Sequence, residues 1–217
     1  MNTEATETRS DQRLLIEILD IDGPLRAEVI AWVRGEVERR SSNPDLGVVE
    51  HWLAVSDDSG TLGEERSRVL LMHHPVAPVG RIPLADTPPD WLTMRHTYDA
   101  AAVSRLRADG RPEPDTANGL RFVAMNCAEG AEDEFHAWYE EDHLPKFSHV
   151  TGVLEGRRLY SPDSSRKHLA LYWLEDIDIV GIPEWKAAAG TEWTAEMRKK
   201  TFDRDRINFV PFPSGQA

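Results

Sequence analysis

Cysteine is nearly absent from this sequence of 217 residues, and Cys127 is the single one. An internal disulfide is thereby excluded. A structural zinc site is disfavoured as well, because such sites usually draw on several thiolates. One lone thiol is typical of a protein kept in a reducing compartment, so we expect a cytoplasmic location.

Long apolar runs and an excess of basic residues are lacking too. No stretch approaches the roughly 18 apolar residues of a membrane-spanning helix, and residues 1–12 are polar, which predicts a disordered tail. Acidic residues outnumber basic ones by 38 to 25, for a formal net charge of −13. Because phosphate groups and anionic lipids attract clustered Lys and Arg, we expect neither a nucleic-acid partner nor a membrane partner.

What the sequence does contain is an internal repeat, with two similar stretches about 105 residues apart. Apolar strand patterns open the copies at 14–19 and 120–125. The helix pattern that follows contains an Ala-Trp pair, with Trp32 in one copy and Trp138 in the other. A Gly-Val pair then begins the next predicted strand in both copies.

The order β-α-β-β-α-β in each copy predicts an α+β protein of two fused ferredoxin-like units with antiparallel sheets. We assign residues 13–100 to the first unit and 119–213 to the second. Between them, 101–118 forms a connector that is helical at first. The second helix of the first unit is only weakly indicated, over 84–92. Since each sheet would expose an apolar face, we expect the two sheets to pack together as a dimeric α/β-barrel-like unit.

One motif in the second copy resembles a known family. Between Glu134 and Phe147, Trp-Tyr is followed by His-Leu-Pro, and a Gly-Val-Leu strand entry follows at Gly152. This pattern is similar to the dimeric α/β-barrel superfamily, and most to its EthD-like members. The resemblance covers most of 119–212 and reaches the first copy only through the repeat, which implies a tandem duplication. The superfamily includes isomerases, cyclases, lyases, monooxygenases and haem proteins, so the fold names no activity.

His143 is the predicted catalytic residue. On a helix, Phe135, Tyr139 and His143 lie at i, i+4 and i+8 on one stripe, and Trp138 indicates that this side is buried. Pro145 lacks the N–H that a continuing helix needs, so we expect a kink or an end there. His143 would then face the interior as a general acid or base. The alternative is a core histidine that is hydrogen-bonded to the backbone.

Two neighbours of His143 complete the predicted catalytic group. Tyr139 would donate a hydrogen bond to a substrate oxygen, although an aromatic residue there is also typical of a core. Asp142 would favour the charged form of His143, although its acidic neighbours are typical of a solvated face. Phe135 and Trp138 are predicted as substrate-binding walls.

Other histidines yield weaker hypotheses. His96 and Tyr98 alternate along the last strand of the first copy and share one face, which we assign to substrate binding. His136 and Glu140 lie at i and i+4, but two ligands without a third do not make a metal site, and a surface salt bridge explains them better. We therefore expect no metal.

We expect an enzyme, a cofactor-independent lyase, isomerase or cyclase acting on a small aromatic or carbonyl-bearing molecule. The alternatives on the same scaffold are a non-catalytic small-molecule-binding or stress-response protein and a haem protein with His143 as axial ligand. A small-molecule ligand is the expected partner, and a homodimer stays open. Aligning Trp32 with Trp138 places Val37 opposite His143, so one site is expected per chain, in the second copy.

Overall fold

The computed structural model describes residues 13–76, 79, 82–84 and 88–214. The tail predicted over 1–12 lies outside them. The chain divides into two compact units. Unit 1 takes the chain up to residue 53 together with 62–102 and the segment from 212 on, and unit 2 takes 54–61 and 103–211.

Unit 1 has one long helix and four main strands. Its elements are β1 (Arg13–Asp22), α1 (Ala27–Ser41), β2 (Val49–Asp57), β4 (Arg66–His73) and β5 (Leu92–Leu106). The last residues of β2 belong to unit 2, where they pair with a short strand β3 (Gly60–Thr61). Strand β1 is antiparallel to both β4 and β5, and β4 is antiparallel to β2. The strand order is therefore β2-β4-β1-β5.

Unit 2 repeats this order with more helices. Its elements are β6 (Gly119–Cys127), α2 (Glu132–Trp138), a π-turn (Tyr139–His143), α3 (Leu144–Ser148), β7 (Val153–Tyr160), β8 (His168–Leu174), α4 (Pro183–Ala189), α5 (Glu192–Lys200) and β9 (Thr201–Pro211). Strand β6 is antiparallel to β8 and β9, and β7 is antiparallel to β8. The order β7-β8-β6-β9 matches that of unit 1.

The α+β fold class and its ferredoxin-like strand order are confirmed. Two local predictions are wrong. The start of the connector is strand rather than helix, because β5 continues to Leu106 in extended pairing geometry. The described residues within 84–92 form no helix, which agrees with Pro88 and Pro89 lacking the N–H groups that helices need. None of the helices formed by the described residues is long and apolar enough to cross a membrane.

The helix-facing core of unit 2 is rich in aromatic side chains. Phe135, Trp138, Phe147, Tyr172 and Trp185 are buried in one cluster. Such rings contribute large apolar areas, and their mutual contacts are favourable when tilted or edge-on. This cluster leaves part of the space between helices and sheet unfilled.

Unit 1 fills the corresponding space with charge. Glu17 of β1 forms ion pairs with Arg40 of α1 and with Arg95 of β5. Arg40 also binds Glu36 Oε2 through Nε at 3.1 Å, and its Nη1 lies 3.0 Å from His73 Nε2. Glu17, Arg40 and His73 are fully buried. The space under α1 is therefore occupied by a buried ionic network, named here the Glu17 network.

Truncating this network should destabilise the fold strongly. Glu17→Ala removes the carboxylate that Arg40 and Arg95 share and leaves Glu36 as the remaining ion-pair partner of Arg40. A broken buried pair typically loses about 3–5 kcal/mol of unfolding free energy. Glu28→Ala removes an ion pair to Arg26 whose side chains are exposed, so it should lose at most about 1 kcal/mol. Urea unfolding of the two variants measures both values, and equal losses would contradict the buried network.

Candidate functional site

Unit 2 encloses a cavity of about 110 Å³ between its sheet and its helices. Strands β6, β8 and β9 form one wall, and the segment from α2 to α3 together with α4 and α5 forms the other. The aromatic lining residues are Trp138, Tyr139, Phe147, Tyr172 and Trp185, and His143 lies among them. A cavity of this size with aromatic walls suits a small, flat ligand.

A π-turn sets the position of His143. The Leu144 N–H donates to the Tyr139 carbonyl, five residues back instead of four. Pro145 has no N–H to give to the Glu141 carbonyl, and the widened turn accommodates this loss. The helix then continues as α3 through Pro145, so of the two expected outcomes, a kink or an end, the helix does not end there. Single π-turns inside helices are frequent at functional sites.

The ring of His143 is enclosed by other rings. Its centroid lies 4.2 Å from that of Trp138, 4.8 Å from that of Phe147 and 5.2 Å from that of Tyr139. Nδ1 is fully buried and has no hydrogen-bond partner among the described residues. The ring as a whole is partly exposed and lines the cavity. Nε2 is therefore the polar atom that can reach a ligand.

The protonation state of His143 follows from this enclosure. Burial lowers the pKa of His143 to about 3, although the Asp142 carboxylate opposes the shift. The imidazole is thus neutral at neutral pH and titrates far below the range in which a general acid works best. His143 is therefore a neutral hydrogen-bonding group at neutral pH, although Asp142 acts in the predicted direction and favours the charged form.

Asp142 is turned away from the cavity and fixes the helices. Its carboxylate pairs with Lys146 and accepts a hydrogen bond of 2.7 Å from the Thr191 hydroxyl. The hydroxyls of Thr191 and Thr194 lie 2.9 Å apart, and Trp138 Nε1 donates to Thr194 Oγ1 at 3.1 Å. This chain of contacts holds Trp138 against His143. Asp142 therefore positions the helices and does not line the cavity.

Tyr139 lines the cavity, and the Arg158 guanidinium lies over its ring. The Arg158 guanidinium carbon lies 4.3 Å from the Tyr139 ring centroid. Burial raises the pKa of Tyr139 to about 12, so the phenol stays protonated and can donate a hydrogen bond. Arg158 also binds Glu140 and lies 3.0 Å from His136 Nδ1. The predicted salt bridge between His136 and Glu140 is therefore replaced by contacts of each with Arg158.

Three predicted substrate-binding residues do not line this cavity. Phe135 is fully buried behind the rings of Trp138 and Tyr139. His96 and Tyr98 belong to unit 1, where they pair with residues 18 and 16 of β1. Strand alternation places them on the face opposite to Glu17, and so away from α1. Trp138 is the one predicted wall residue that the cavity contains.

A row of polar side chains crosses the sheet under the cavity and was missed by sequence reasoning. Arg121 of β6 is paired in register with Tyr172 of β8 and with Asn208 of β9. Arg121 Nη1 donates to Asn208 Oδ1 at 2.7 Å. Burial lowers the pKa of Arg121 to about 10, which still leaves it charged at neutral pH. The feature of the sequence that could have revealed this row is the single arginine, Arg121, within the apolar strand pattern at 120–125.

No gathering of three or more His, Cys, Asp or Glu side chains that could hold a metal ion occurs in the described part of the chain. Cys127 lies in the strand β6, and burial raises the pKa of its thiol. The thiol is therefore protonated at neutral pH and unsuited to act as a nucleophile.

The structure is similar to solved structures of low sequence identity. A mutant chlorite dismutase from Candidatus Nitrospira defluvii aligns over 92% of this chain and 91% of its own, with 12% identity and a TM-score of 0.56. A putative monooxygenase from Fusobacterium nucleatum aligns over 93% and 94%, with 9% identity and a TM-score of 0.54. A Listeria monocytogenes ferredoxin-fold protein related to antibiotic biosynthesis monooxygenases aligns over 92% and 96%, with 9% identity and a TM-score of 0.51.

No protein-family model matches the sequence, and a search of curated proteins finds no match. The similar structures share the ferredoxin-like fold with this chain, and at these identities they show the fold alone. Their names also correct the sequence-based function. A cofactor-independent lyase, isomerase or cyclase is wrong on this comparison, because the similar proteins whose names state an activity are named for redox reactions.

The buried histidine should make stability fall in acid. The folded-state pKa of His143 is about 3 and the unfolded value is about 6.5, so the unfolded chain binds the proton first as the pH falls. The stability is fully present above the unfolded value and is lost by up to about 1.4 kcal/mol per pH unit below it. In His143→Phe, the plot of unfolding free energy against pH should be shallower by about one proton between about pH 6 and 4.

A matched control is His149→Gln, because His149 is exposed at the end of α3 and does not line the cavity. This variant should keep the wild-type slope. Equal slopes for wild type and His143→Phe would show that His143 is not enclosed as described.

Proposed function

We propose that the chain is a monooxygenase that inserts oxygen into a flat, electron-rich aromatic molecule bound in the unit 2 cavity. The observation that carries the proposal is the aromatic-walled cavity with the neutral imidazole of His143 in its wall. The similar ferredoxin-fold structures named as monooxygenases or as related to them support it. We also infer the tandem duplication and the EthD-like affinity, supported by the shared strand order and by the His-Leu-Pro motif.

Each wall residue has a role in this reaction. The rings of Trp138 and Trp185 hold the flat substrate and exclude water, which strengthens every electrostatic contact inside. His143 Nε2 accepts the hydrogen bond of a substrate hydroxyl, and the positive charge of Arg121 favours ionisation of that hydroxyl. Tyr139, held protonated, donates to a carbonyl or phenolate oxygen of the substrate.

The redox balance requires no other reductant. When a substrate CH₂ group becomes a carbonyl, one atom of dioxygen enters the product and the other leaves as water, so that R₂CH₂ + O₂ gives R₂C=O + H₂O. The substrate itself supplies the electrons, and an ionised, electron-rich aromatic supplies them most readily.

Haem bound through His143 does not fit the residues present. Nε2 of His143 is the atom that would bind the iron, and the Trp138 ring centroid lies only 4.2 Å from that of the imidazole, which leaves little room beside the ring. A porphyrin is far larger than a bicyclic aromatic, so this cavity of about 110 Å³ would have to open much further to admit it. We therefore assign His143 to the aromatic substrate and not to an iron ion.

One such site is proposed per chain. In unit 1, Leu15 pairs with His73 at the place where Arg121 pairs with Tyr172 in unit 2. Two positions further along β1, Glu17 holds the centre of the buried ionic network. The space that forms a cavity in unit 2 is thus filled by charged side chains in unit 1.

The proposal is tested by oxygen uptake. Wild-type protein mixed with anthrone and with hydroxylated naphthalenes should consume dioxygen, and mass spectrometry under ¹⁸O₂ should find one labelled oxygen in the product. His143→Ala should lower kcat/KM by about 10-fold, the loss expected for one hydrogen bond to the substrate. His149→Ala, at the exposed position, should retain the wild-type rate. An aromatic that binds in the cavity of the wild type without oxygen uptake, or full activity in His143→Ala, would contradict the proposal.

A further inference from the structure

Arg121 occupies an unusual electrostatic position at the floor of the cavity. It is a charged side chain that lines a mainly aromatic space, and its immediate partner is the neutral amide of Asn208. Asn208 is itself fixed, because its Nδ2 donates to Ser56 Oγ at 2.9 Å. Throughout the described residues, no carboxylate forms an ion pair with Arg121. A guanidinium held in place beside a cavity without a counter-charge is poised to receive an anion.

Tyr172 supplies a hydrogen-bond donor beside Arg121 that has no partner among the described residues. Its side chain is 2% exposed, and its hydroxyl is fully buried with no hydrogen-bond partner in the part of the chain that the structure describes. The register pairing places the two residues side by side on neighbouring strands, and both line the cavity. A buried hydroxyl without a partner is rare in folded proteins and calls for an explanation. A ligand oxygen would satisfy it.

The charge around the cavity has one sign. Arg198, Arg204 and Arg206 line it in addition to Arg121, and among the residues that the structure describes no Asp or Glu does. Asp58 is the nearby carboxylate that acts on Arg121, and Arg206 Nε already binds it at 2.8 Å. Four arginines without a lining carboxylate stand out in a chain of net charge −13. A cavity lined by positive charges of this kind attracts anions and raises their local concentration.

We propose that Arg121 and Tyr172 together bind an anionic oxygen group of the ligand, so that the substrates of this cavity are aromatic carboxylates or phenolates. The planar guanidinium matches a carboxylate in geometry, and the Tyr172 hydroxyl donates a further bond to the same group. The aromatic body then lies against Trp138 and Trp185. This inference deepens the proposed function, since it rests on the cavity being the substrate site, and it names the chemical class of the substrate.

Calorimetric titration of the full chain with two probes tests the inference. The probes are 2-naphthoate and its uncharged analogue 2-naphthalenemethanol, which differ mainly in charge. Wild-type protein should bind the carboxylate about 10- to 100-fold more tightly, the range expected for hydrogen bonds to a charged group. Arg121→Gln should reduce this ratio to about one while the affinity for the alcohol stays the same. Tyr172→Phe should lower the affinity for the carboxylate several-fold.

Arg166→Gln is the matched control. It also removes one arginine charge from unit 2, but Arg166 pairs with Asp203 and does not line the cavity. The preference for the carboxylate should persist in this variant. Thermal unfolding checks that Arg121→Gln is folded. If it is not, the affinity ratio of the wild type and its several-fold decrease in Tyr172→Phe decide.

Three outcomes would overturn the inference: equal binding of the two probes by the wild type, a preference that survives Arg121→Gln, or binding of neither probe. The test is independent of turnover. Preference for the anion without oxygen uptake by any aromatic would refute the proposed reaction and leave the anion site standing. Oxygen uptake with uncharged aromatics and no preference for the anion would refute the anion site alone.

Discussion

The π-turn from Tyr139 to His143 is the constraint on which the site depends, because a cavity residue stands at each of its ends. Pro145 withholds one N–H from the helix, and the backbone responds by widening a turn instead of ending the helix. The widened turn is held by ring contacts of His143 with its three aromatic neighbours, each pair being favourable by about 0.5–1.5 kcal/mol. Asp142 reinforces it through Lys146 and Thr191.

The space between helix and sheet is filled differently in the two units, although their strand order is the same. In unit 1, Glu17 and Arg40 fill it with a buried ionic network, which makes little net contribution to stability compared with apolar packing but leaves no room for a ligand. In unit 2, the residue of β6 at the position of Glu17 is Val123, which lines a cavity walled by aromatic rings. Among the described residues, the close hydrogen-bond partner of the cavity residue Arg121 is the neutral amide of Asn208. The difference between the units is therefore one of filling and not of strand order.

Much of the fold could be predicted from the sequence, because apolar runs, turn glycines and the repeat each reflect local physical preferences. The position of His143 at an interior space followed from helical spacing and from Pro145. Arg121 could not be placed, because both faces of β6 are largely buried, so alternation alone did not show which face the helices cover. The contacts of Asp142 could not be predicted for another reason. Its hydroxyl partner Thr191 is 49 residues away, and no local pattern reveals such a contact.

The chemistry of the site was harder to predict from the sequence than the fold. A histidine in a buried stripe suggests proton transfer near neutral pH, but the pKa depends on how many rings surround it, and only the assembled helices determine that. His96 and Tyr98 failed as wall residues because a shared strand face does not say which element covers it. The activity class was wrong because one ferredoxin-like scaffold hosts many reactions.

The most direct test of the account is a crystal structure of the chain with bound 2-naphthoate. We expect one ligand per chain in the unit 2 cavity, with its rings against Trp138 and Trp185. Its carboxylate should lie within hydrogen-bond distance of the Arg121 guanidinium and the Tyr172 hydroxyl. A ligand bound only outside this cavity, or bound inside it with the carboxylate directed away from Arg121, would contradict the account.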